Sequence, residues 1–267
     1  MRPEDFDYLA NLLKQRSGIA LTPDKQYLLE TRLQPILSSF DCKQIGDLIM
    51  RLKLKNEETL IREVIEAMTT NESMFFRDNK PFEQLRKVVF PELKKRGGKI
   101  RIWSAACSNG QEPYSIAISI LEEKHNVAGL SFEIQASDLD TKVIKKAQDG
   151  LYTQFEVQRG LPITLLLSYF SQEANNNWRI KNHIKEMVKF RQLNLLDSYL
   201  TMGKFDVILC RNVLIYFEDA TKREILRKLT AQLNPGGFLF LGSAETIIGL
   251  SDELKPLENE RGVYTPL

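Results

Sequence analysis

Carboxylate side chains of this sequence stand where buried, strand-like runs end, which is where ligands bind in open parallel sheets. Glu112 lies in the stretch after the first run, and Asp138 and Asp140 follow the second. A carboxylate 28 positions beyond Gly110 is what a nucleoside ligand requires, because it accepts hydrogen bonds from both ribose hydroxyls. Either aspartate could also cap a helix beginning at Thr141. We therefore assign Asp138 to the ligand and Asp140 to the cap.

Amide and guanidinium side chains follow the next two strand-like runs. Asn194 comes after the third run, and Arg211 and Asn212 come after the fourth. Because the carboxyl ends of parallel strands meet at one edge of a sheet, we expect these groups to share a site with Asp138. Asn194 could also do no more than end its strand.

The loop after the first run carries almost no side-chain volume from Ala105 to Gly110. Pro113 then stands where the first turn of a helix tolerates a missing N–H. A bulky ligand could lie against this backbone, but a tight strand-to-helix connection would use the same small residues. Of the glycines in the dinucleotide-binding fingerprint G-x-G-x-x-G, this loop has only Gly110. The incomplete fingerprint argues against an NAD-dependent oxidoreductase. The loop suits a ligand with a nucleoside and no phosphates.

From residue 99 onward, strand-like runs alternate with helical ones, which predicts an α/β fold with a mostly parallel sheet covered by helices. The predicted strands are 100–105, 132–136, 188–192, 205–209 and 238–241. The predicted helices lie near 113–124, 141–148 and 220–233.

The first 70 or so residues have the apolar spacing of helices and predict a small all-helical domain. Gly18 is a suitable cap for the first helix, and Thr22-Pro23 opens the second, which Pro35 should kink or end. The third helix runs from Ile45 to Leu52, and Asn56 can cap the fourth.

The composition indicates a soluble globular protein. A hydrophobic content of 43% is ample for a core, and a formal charge of +2 gives no global drive toward nucleic acid or lipid. Three cysteines without a Cys-x-x-Cys pair suggest neither a disulfide framework nor a zinc site, and no metal is expected. The N-terminus lacks an apolar signal region, and no apolar run reaches about 18 residues. We expect a cytoplasmic protein that neither inserts into membranes nor binds nucleic acid.

Several sequence blocks in a fixed order are similar to the CheR-type chemotaxis receptor methyltransferases. They are Thr69-Thr70-Asn71-Glu72-Ser73-Met74-Phe75-Phe76-Arg77-Asp78, the stretch 103–115, 136–141, 210–217, Asn234-Pro235-Gly236-Gly237 and Gly242-Ser243-Ala244-Glu245. The resemblance spans nearly the whole chain. It implies a helical N-terminal domain at 1–70 and a class I, Rossmann-like S-adenosylmethionine-dependent methyltransferase domain at 71–267, with a small β-subdomain inserted at about 155–190.

The resemblance also implies a reaction, which is esterification of glutamate side chains on the cytoplasmic helices of chemoreceptors, tuning chemotactic adaptation. S-adenosylmethionine would be the donor and S-adenosylhomocysteine the product. Glu112 would hold the methionyl ammonium of the donor and Asp138 its ribose, and Asn194 with Leu195 would surround the adenine. Gln111 stands where family members often have a second acidic residue.

Further residues are assigned to the same pocket by the resemblance. Arg211 and Asn212 would line it, and Asn71, Ser73 and Arg77 would come from the segment between the domains. Ser73 could instead cap the following helix. An arginine at position 77, directly after two aromatic residues, has less structural reason to be there.

A glutamate substrate is already ionised at neutral pH, so methyl transfer to it needs no general base. The two histidines, His125 and His183, lie in unrelated segments and are expected on surfaces, which agrees with a reaction that needs no histidine base. We expect Arg77 to orient the incoming carboxylate with its fork of donors and Tyr216 to close the wall beside the transferred methyl. Tyr216 could also be a core aromatic residue of its apolar run.

The partner expected from the resemblance is the helical bundle of the receptor. Family members that bind a tethering peptide at the receptor C-terminus usually carry a longer, glycine-containing hairpin loop than the asparagine-rich 169–180 stretch. We therefore do not expect a tether-peptide site. A basic face formed by Lys43, Arg51, Lys53 and Lys55 would assist docking, although such a face can also be a solvated helix surface.

Two alternatives stay open. A donor-binding adaptor without catalysis is not excluded by any residue. A methyltransferase acting on another protein, a nucleic acid or a small molecule would share the donor site. Enzymes that methylate exocyclic amines of bases usually carry an Asn/Asp-Pro-Pro-Tyr/Phe motif after the fourth strand, where this chain reads Arg211-Asn212-Val213-Leu214.

Overall fold

A computed structural model describes residues 1–55 and 57–267. The chain forms two compact units, of which the first comprises Met1–Thr70 with Tyr216–Thr221 and the second comprises Asn71–Ile215 with Lys222–Leu267. Asn56, the predicted cap of the fourth helix, lies outside the described residues.

The first unit is built from helices whose apolar residues face one another. Gly18 ends the first of them in the left-handed region (φ 79°), and its N–H donates to the Lys14 carbonyl at 3.0 Å, as the sequence predicts. Leu9, Leu33 and Leu60 are fully buried in its core. The helices are α1 (Pro3–Ser17), α2 (Gln26–Ser39), α3 (Ile45–Lys55) and α4 (Glu58–Met68).

The second helix does not end at its proline. Helix α2 continues beyond Pro35 to Ser39, so of the two predicted outcomes, a kink or an end, the end does not occur. A proline inside a helix costs about 3 kcal/mol. Ile36 and Leu37 lie just beyond it and are buried, and we attribute the continuation to their packing.

The second unit has a seven-stranded sheet within the described residues, in the order β6-β2-β1-β7-β8-β10-β9. The pairs from β6 to β8 are parallel, and β10 pairs antiparallel with β8 and with β9. Its strands are β1 (Gly98–Ala105), β2 (Leu130–Asp138), β6 (Val188–Gln192), β7 (Phe205–Cys210), β8 (Leu233–Leu241), β9 (Leu254–Leu257) and β10 (Glu260–Pro266). All five predicted strands are present, and β9 and β10 were not predicted.

Helices connect these strands. Helix α7 begins at Gln111, directly after the small-residue loop, and α8 begins at Thr141 as predicted. A π-helical turn (Leu85–Val89) joins α5 to α6. The helices are α5 (Lys80–Gln84), α6 (Phe90–Arg96), α7 (Gln111–Glu122), α8 (Thr141–Asp149), α9 (Gln154–Gln158), α10 (Ile163–Tyr169), α11 (Asn182–Lys185) and α12 (Asp219–Ala231).

A smaller antiparallel sheet is inserted between α8 and α11. It consists of β3 (Leu151–Thr153), β4 (Phe170–Gln172) and β5 (Asn177–Ile180). Their order in the sheet is β3-β5-β4. The predicted hairpin is therefore present, and Asn175 and Asn176 adopt the left-handed conformation in its loop (φ 60° and 56°). Asparagine tolerates this region better than most residues, which explains how the turn forms without glycine.

No helix within residues 1–55 and 57–267 combines the length and apolar character needed to cross a bilayer.

Candidate functional site

Several predicted site residues of the second unit lie at or just after the ends of its parallel strands. In the sheet register, Ala105 at the end of β1 stands opposite Ser137 of β2 and Cys210 of β7. Asp138, the last residue of β2, stands opposite Gln192 of β6. The carboxyl ends of four neighbouring strands therefore form one edge, as the alternation of strands and helices predicts.

The loop after β1 folds into a tight left-handed turn. Ala106, Ser108 and Gly110 all have positive φ, at 58°, 51° and 87°. A Cβ on Gly110 would lie 2.8 Å from the Ala147 side chain and 3.1 Å from the Tyr152 hydroxyl oxygen. The absence of a side chain at Gly110 therefore serves close packing, which was the alternative explanation for the small residues in this loop.

Asp138 is buried beneath this turn. Its Oδ2 accepts a hydrogen bond from the Ser108 N–H at 2.8 Å, and its Oδ1 accepts one from the Asp140 N–H at 3.0 Å. Burial raises the pKa of Asp138 to about 6, with a further contribution from the negative charge of Asp140, against the lowering effect of the backbone hydrogen bonds. A carboxylate offers about four acceptor positions, so each oxygen retains capacity for a ligand hydroxyl.

Asp140 is the N-cap of α8, as predicted. Its Oδ1 accepts hydrogen bonds from the Lys142 and Val143 N–H groups at 2.8 and 3.3 Å. The Asn71 side-chain amide donates to its Oδ2 at 2.7 Å, and the Asn71 carbonyl accepts from the Ser108 hydroxyl at 2.8 Å. Asn71 is thus fixed beside the loops that follow β1 and β2.

Glu112 belongs to an ion cluster around the buried side chain of Arg211. Its Oε1 accepts a hydrogen bond from the Ser104 hydroxyl at 2.8 Å, and its Oε2 lies 2.8 Å from Arg211 Nη1. Arg211 Nη2 lies 2.7 Å from Asp78 Oδ2 and donates to the Arg77 carbonyl at 3.0 Å. The Arg211 side chain is 1% exposed, so this cluster connects the ends of β1 and β7 with the 71–79 segment.

The side chain of Arg77 lies outside this cluster. Arg77 is half-buried, and its Nη1 donates to the Glu72 carbonyl at 3.0 Å. That bond uses one of the five N–H donors of a guanidinium. Ser73, four residues earlier in the same segment, is also half-buried. It lies in an irregular stretch and does not begin a helix.

Asn194 and Leu195 follow β6 at the same edge of the sheet. Asn194 Oδ1 accepts a hydrogen bond from the Leu196 N–H at 3.0 Å, and its carbonyl accepts from the Asp197 N–H at 2.9 Å. Leu195 is buried. The link from this turn to Asp138 is a backbone hydrogen bond, in which the Leu193 N–H donates to the Asp138 carbonyl at 2.9 Å.

Asn212 follows Arg211 with a φ of 59°. Glu245 accepts hydrogen bonds from the N–H groups of Asn212, Val213 and Leu214 and so holds this backbone. The sequence resemblance includes Glu245 but implies no role for it. Asp78 and Ser104, which hold Arg211 and Glu112, were also missed as site residues. Their contacts join positions up to 133 residues apart, and no local pattern indicates such pairs.

Tyr216 ends a 3-10 turn (Leu214–Tyr216) and belongs to the first unit. It is half-buried, and its carbonyl accepts a hydrogen bond from the Ala20 N–H at 2.9 Å. Its neighbour Phe217 is buried and forms an isolated bridge with Ile19. Phe217 is thus a core aromatic residue of this run, whereas Tyr216 keeps part of its surface accessible.

The buried thiols of Cys107 and Cys210 are poorly suited to proton transfer or nucleophilic attack, and the imidazoles lie on the surface. Burial raises the pKa of Cys107 and of Cys210 well above the ordinary thiol value, and nearby carboxylates raise it further. Both thiols are therefore protonated at neutral pH. His125 and His183 are exposed, as predicted.

Orphaned polar atoms in this region match the groups of S-adenosylmethionine. Among the described residues, Arg211 Nε and Gln111 Oε1 are buried and make no hydrogen bond. A guanidinium N–H suits the donor carboxylate, and an amide oxygen suits its ammonium. Together with the acceptor capacity of Asp138 and Glu112, these residues fit the amino-acid and ribose parts of this group.

The sheet order and the polar edge of the second unit define a class I, Rossmann-like methyltransferase dependent on S-adenosylmethionine. The family model described as "CheR methyltransferase, SAM binding domain" matches residues 71–263, and "CheR methyltransferase, all-alpha domain" matches residues 4–69. The chain belongs to the CheR family of chemotaxis methyltransferases.

Curated relatives match over nearly the full chain. "Chemotaxis protein methyltransferase Cher2" of Pseudomonas putida is 40% identical over 264 residues, covering 97% of this chain and 96% of the relative. "Chemotaxis protein methyltransferase 1" of Pseudomonas aeruginosa is 42% identical over 265 residues with the same coverage. The "Chemotaxis protein methyltransferase" of Vibrio parahaemolyticus is 37% identical over 266 residues, covering 99% of this chain and 97% of the relative.

Proposed function

We propose that this protein methylates glutamate side chains on the cytoplasmic helices of chemoreceptors, giving glutamate methyl esters and S-adenosylhomocysteine. The observation that carries the proposal is the edge where Asp138, Glu112 and Arg211 converge. Its polar groups, of which Asp138 and Arg211 are buried, are suited to binding and orienting ligands, while the described histidines are exposed and the Cys107 and Cys210 thiols are protonated. Such a site suits an acceptor that is nucleophilic without a base.

Each residue of the pocket has a proposed task. Asp138 accepts hydrogen bonds from the ribose hydroxyls, and Glu112 accepts from the methionyl ammonium. Further contacts are assigned to Asn71, Ser73, Arg77, Ala105, Asn194, Leu195, Arg211 and Asn212. The burial of Asp138 and Arg211 supports these tasks, because hydrogen bonds to charged groups are strongest where water is excluded.

The acceptor chemistry follows from the ordinary pKa of a glutamate side chain, about 4.3, which leaves it ionised at neutral pH. Bound S-adenosylmethionine supplies a methyl group on a sulfonium. A carboxylate oxygen forms the new bond to this methyl as the carbon–sulfur bond breaks, and the electron pair goes to sulfur. Alignment of the two reactants can contribute roughly 7 to 11 kcal/mol to such a displacement.

Arg77 and Tyr216 are the proposed catalytic residues. Only one N–H of the Arg77 guanidinium is used by Glu72, so a planar fork remains for a bidentate bond to the incoming carboxylate. Tyr216 would close the wall beside the transferred methyl.

We also propose a division of labour along the chain. The helical domain at 1–70 and the basic residues near its third helix would assist docking on the receptor bundle in the cytoplasm. Two of these basic residues have partners within the domain. Arg51 pairs with Glu57 at 2.8 Å, and the Lys53 ammonium lies 4.7 Å from the centre of the Tyr8 ring. Residues 71–267 would carry the transfer, with the β-subdomain at about 155–190 as an insertion that does not capture a tether peptide.

The test is incubation of the protein with methyl-labelled S-adenosylmethionine and a cytoplasmic receptor fragment. We expect label on the fragment, and none on a control fragment whose methyl-accepting glutamates are replaced by alanine. Donor binding without transfer to an intact fragment would contradict the proposal and support a regulatory adaptor. Label on the control fragment would indicate another acceptor.

A further inference from the structure

One carboxylate holds the two segments that follow β7 and β8. Glu245 Oε2 accepts hydrogen bonds from the N–H groups of Asn212 at 2.8 Å and Gly242 at 2.6 Å. Its Oε1 accepts from Val213 at 2.8 Å and Leu214 at 2.7 Å. Four bonds match the acceptor capacity of a carboxylate, about four positions. The side chain of Glu245 is therefore committed to the backbone.

The backbone that Glu245 holds carries groups of the proposed site. Residues 212–214 come directly after Arg211, whose guanidinium joins Glu112 and Asp78, and they lead along the chain to Tyr216. Asn212 adopts φ 59°, a left-handed conformation that asparagine tolerates better than most residues. The bond from its own N–H to Glu245 holds it in this conformation.

Gly242 shows how closely these groups approach. A Cβ at this position would lie 2.7 Å from Glu245 Oε2 and 2.8 Å from both the backbone nitrogen and the Nδ2 of Asn212. Contacts below about 3 Å cannot be accommodated without movement. The glycine thus leaves the space in which Glu245 and Asn212 meet.

We propose that Glu245 is a positioning residue for methyl transfer. Through the four backbone bonds it holds the segment after β7 so that Arg211 and Asn212 face the donor. The inference rests on the proposed function. A glutamine at this position keeps the shape but presents an NH₂ group to two N–H donors, which breaks half of the arrangement.

The test compares Glu245→Gln with Glu133→Gln. Glu133 is a matched control, because it too is a carboxylate in charge-assisted hydrogen bonds, to Lys99 and Gln135, but on the half of β2 remote from Asp138. For Glu245→Gln we expect kcat/KM to fall about ten- to hundredfold, the Kd for S-adenosylhomocysteine to rise, and amide hydrogen exchange to accelerate at 212–214. Glu133→Gln should change none of these when both variants are assayed well below their melting temperatures.

A second variant tests the same arrangement with the carboxylate retained. Gly242→Ala should produce the same three changes, because its methyl group displaces Glu245 from Asn212. The inference would be overturned if both variants kept wild-type kinetics and amide hydrogen exchange. It would also be overturned if their losses of kcat/KM and donor affinity were no larger than those of Glu133→Gln. If the wild-type protein transferred no methyl group, the proposed function would be refuted instead. The role of Glu245 would then still be tested by the affinity of the variants for S-adenosylhomocysteine and by amide hydrogen exchange at 212–214.

Discussion

Donor binding should weaken as the pH falls through 6, because Asp138 must be ionised to accept hydrogen bonds from the ribose. Burial raises the pKa of Asp138 to about 6. With that value, about 97% of the carboxyl groups are ionised near pH 7.5 and about 9% near pH 5. The Kd for S-adenosylhomocysteine should therefore rise about tenfold between these two pH values, and binding near pH 6 should release about half a proton per bound ligand.

Isothermal titration calorimetry at several pH values measures this change. Titrations in buffers of different ionisation enthalpy report the proton release. Asp138→Asn is the matched control, because it removes this carboxyl group and leaves the other ionisable groups in place. This variant should bind more weakly at neutral pH and lose most of the pH dependence. A Kd that is constant in the wild type, or a pH dependence that persists in Asp138→Asn, would refute the reasoning.

Four further predictions concern acceptor alignment, donor binding, the partner and the thiols. Arg77→Ala should lower kcat about a hundredfold, since it removes the fork that aligns the acceptor; full turnover with unchanged donor binding would contradict its role. Glu112→Gln should weaken donor binding about ten- to hundredfold by calorimetry, the value of a charge-assisted hydrogen bond, and wild-type affinity would exclude the ammonium contact. An isolated receptor C-terminal peptide should show no tight binding in a titration, and a tight complex would overturn that expectation. In the native protein an alkylating reagent should modify the half-buried Cys42 and spare Cys107 and Cys210, as counted by intact mass; rapid loss of all three thiols would contradict the burial.

Features with a local physical cause were predictable from the sequence. The buried runs predicted the parallel strands, and the choice of Asp140 as the cap of α8 depended only on helix-start chemistry. The left-handed cap at Gly18 is of the same kind. In contrast, β9 was missed because it is a short strand containing Pro256 at the edge of the sheet, where the alternating pattern is weak.

Features that depend on tertiary contacts were not predictable. Glu112 and Arg211 were expected in one pocket, but the ion pair between them and its completion by Asp78 arise from residues distant in the chain. Glu245 likewise has no local signal, because its partners are backbone groups of another loop. Pro35 shows the opposite case. Proline has a strong local preference against the interior of a helix, but α2 continues beyond Pro35 because burial of the following residues favours the helix.

The most direct measurement of the central claim is mass spectrometry of a receptor cytoplasmic fragment after incubation with the protein and S-adenosylmethionine. We predict a methyl group on glutamate side chains that mild alkali removes, because carboxylate esters hydrolyse readily and methylated amines do not. An alkali-stable methyl group on another residue, or a fragment that stays unmodified while the protein binds the donor, would contradict it.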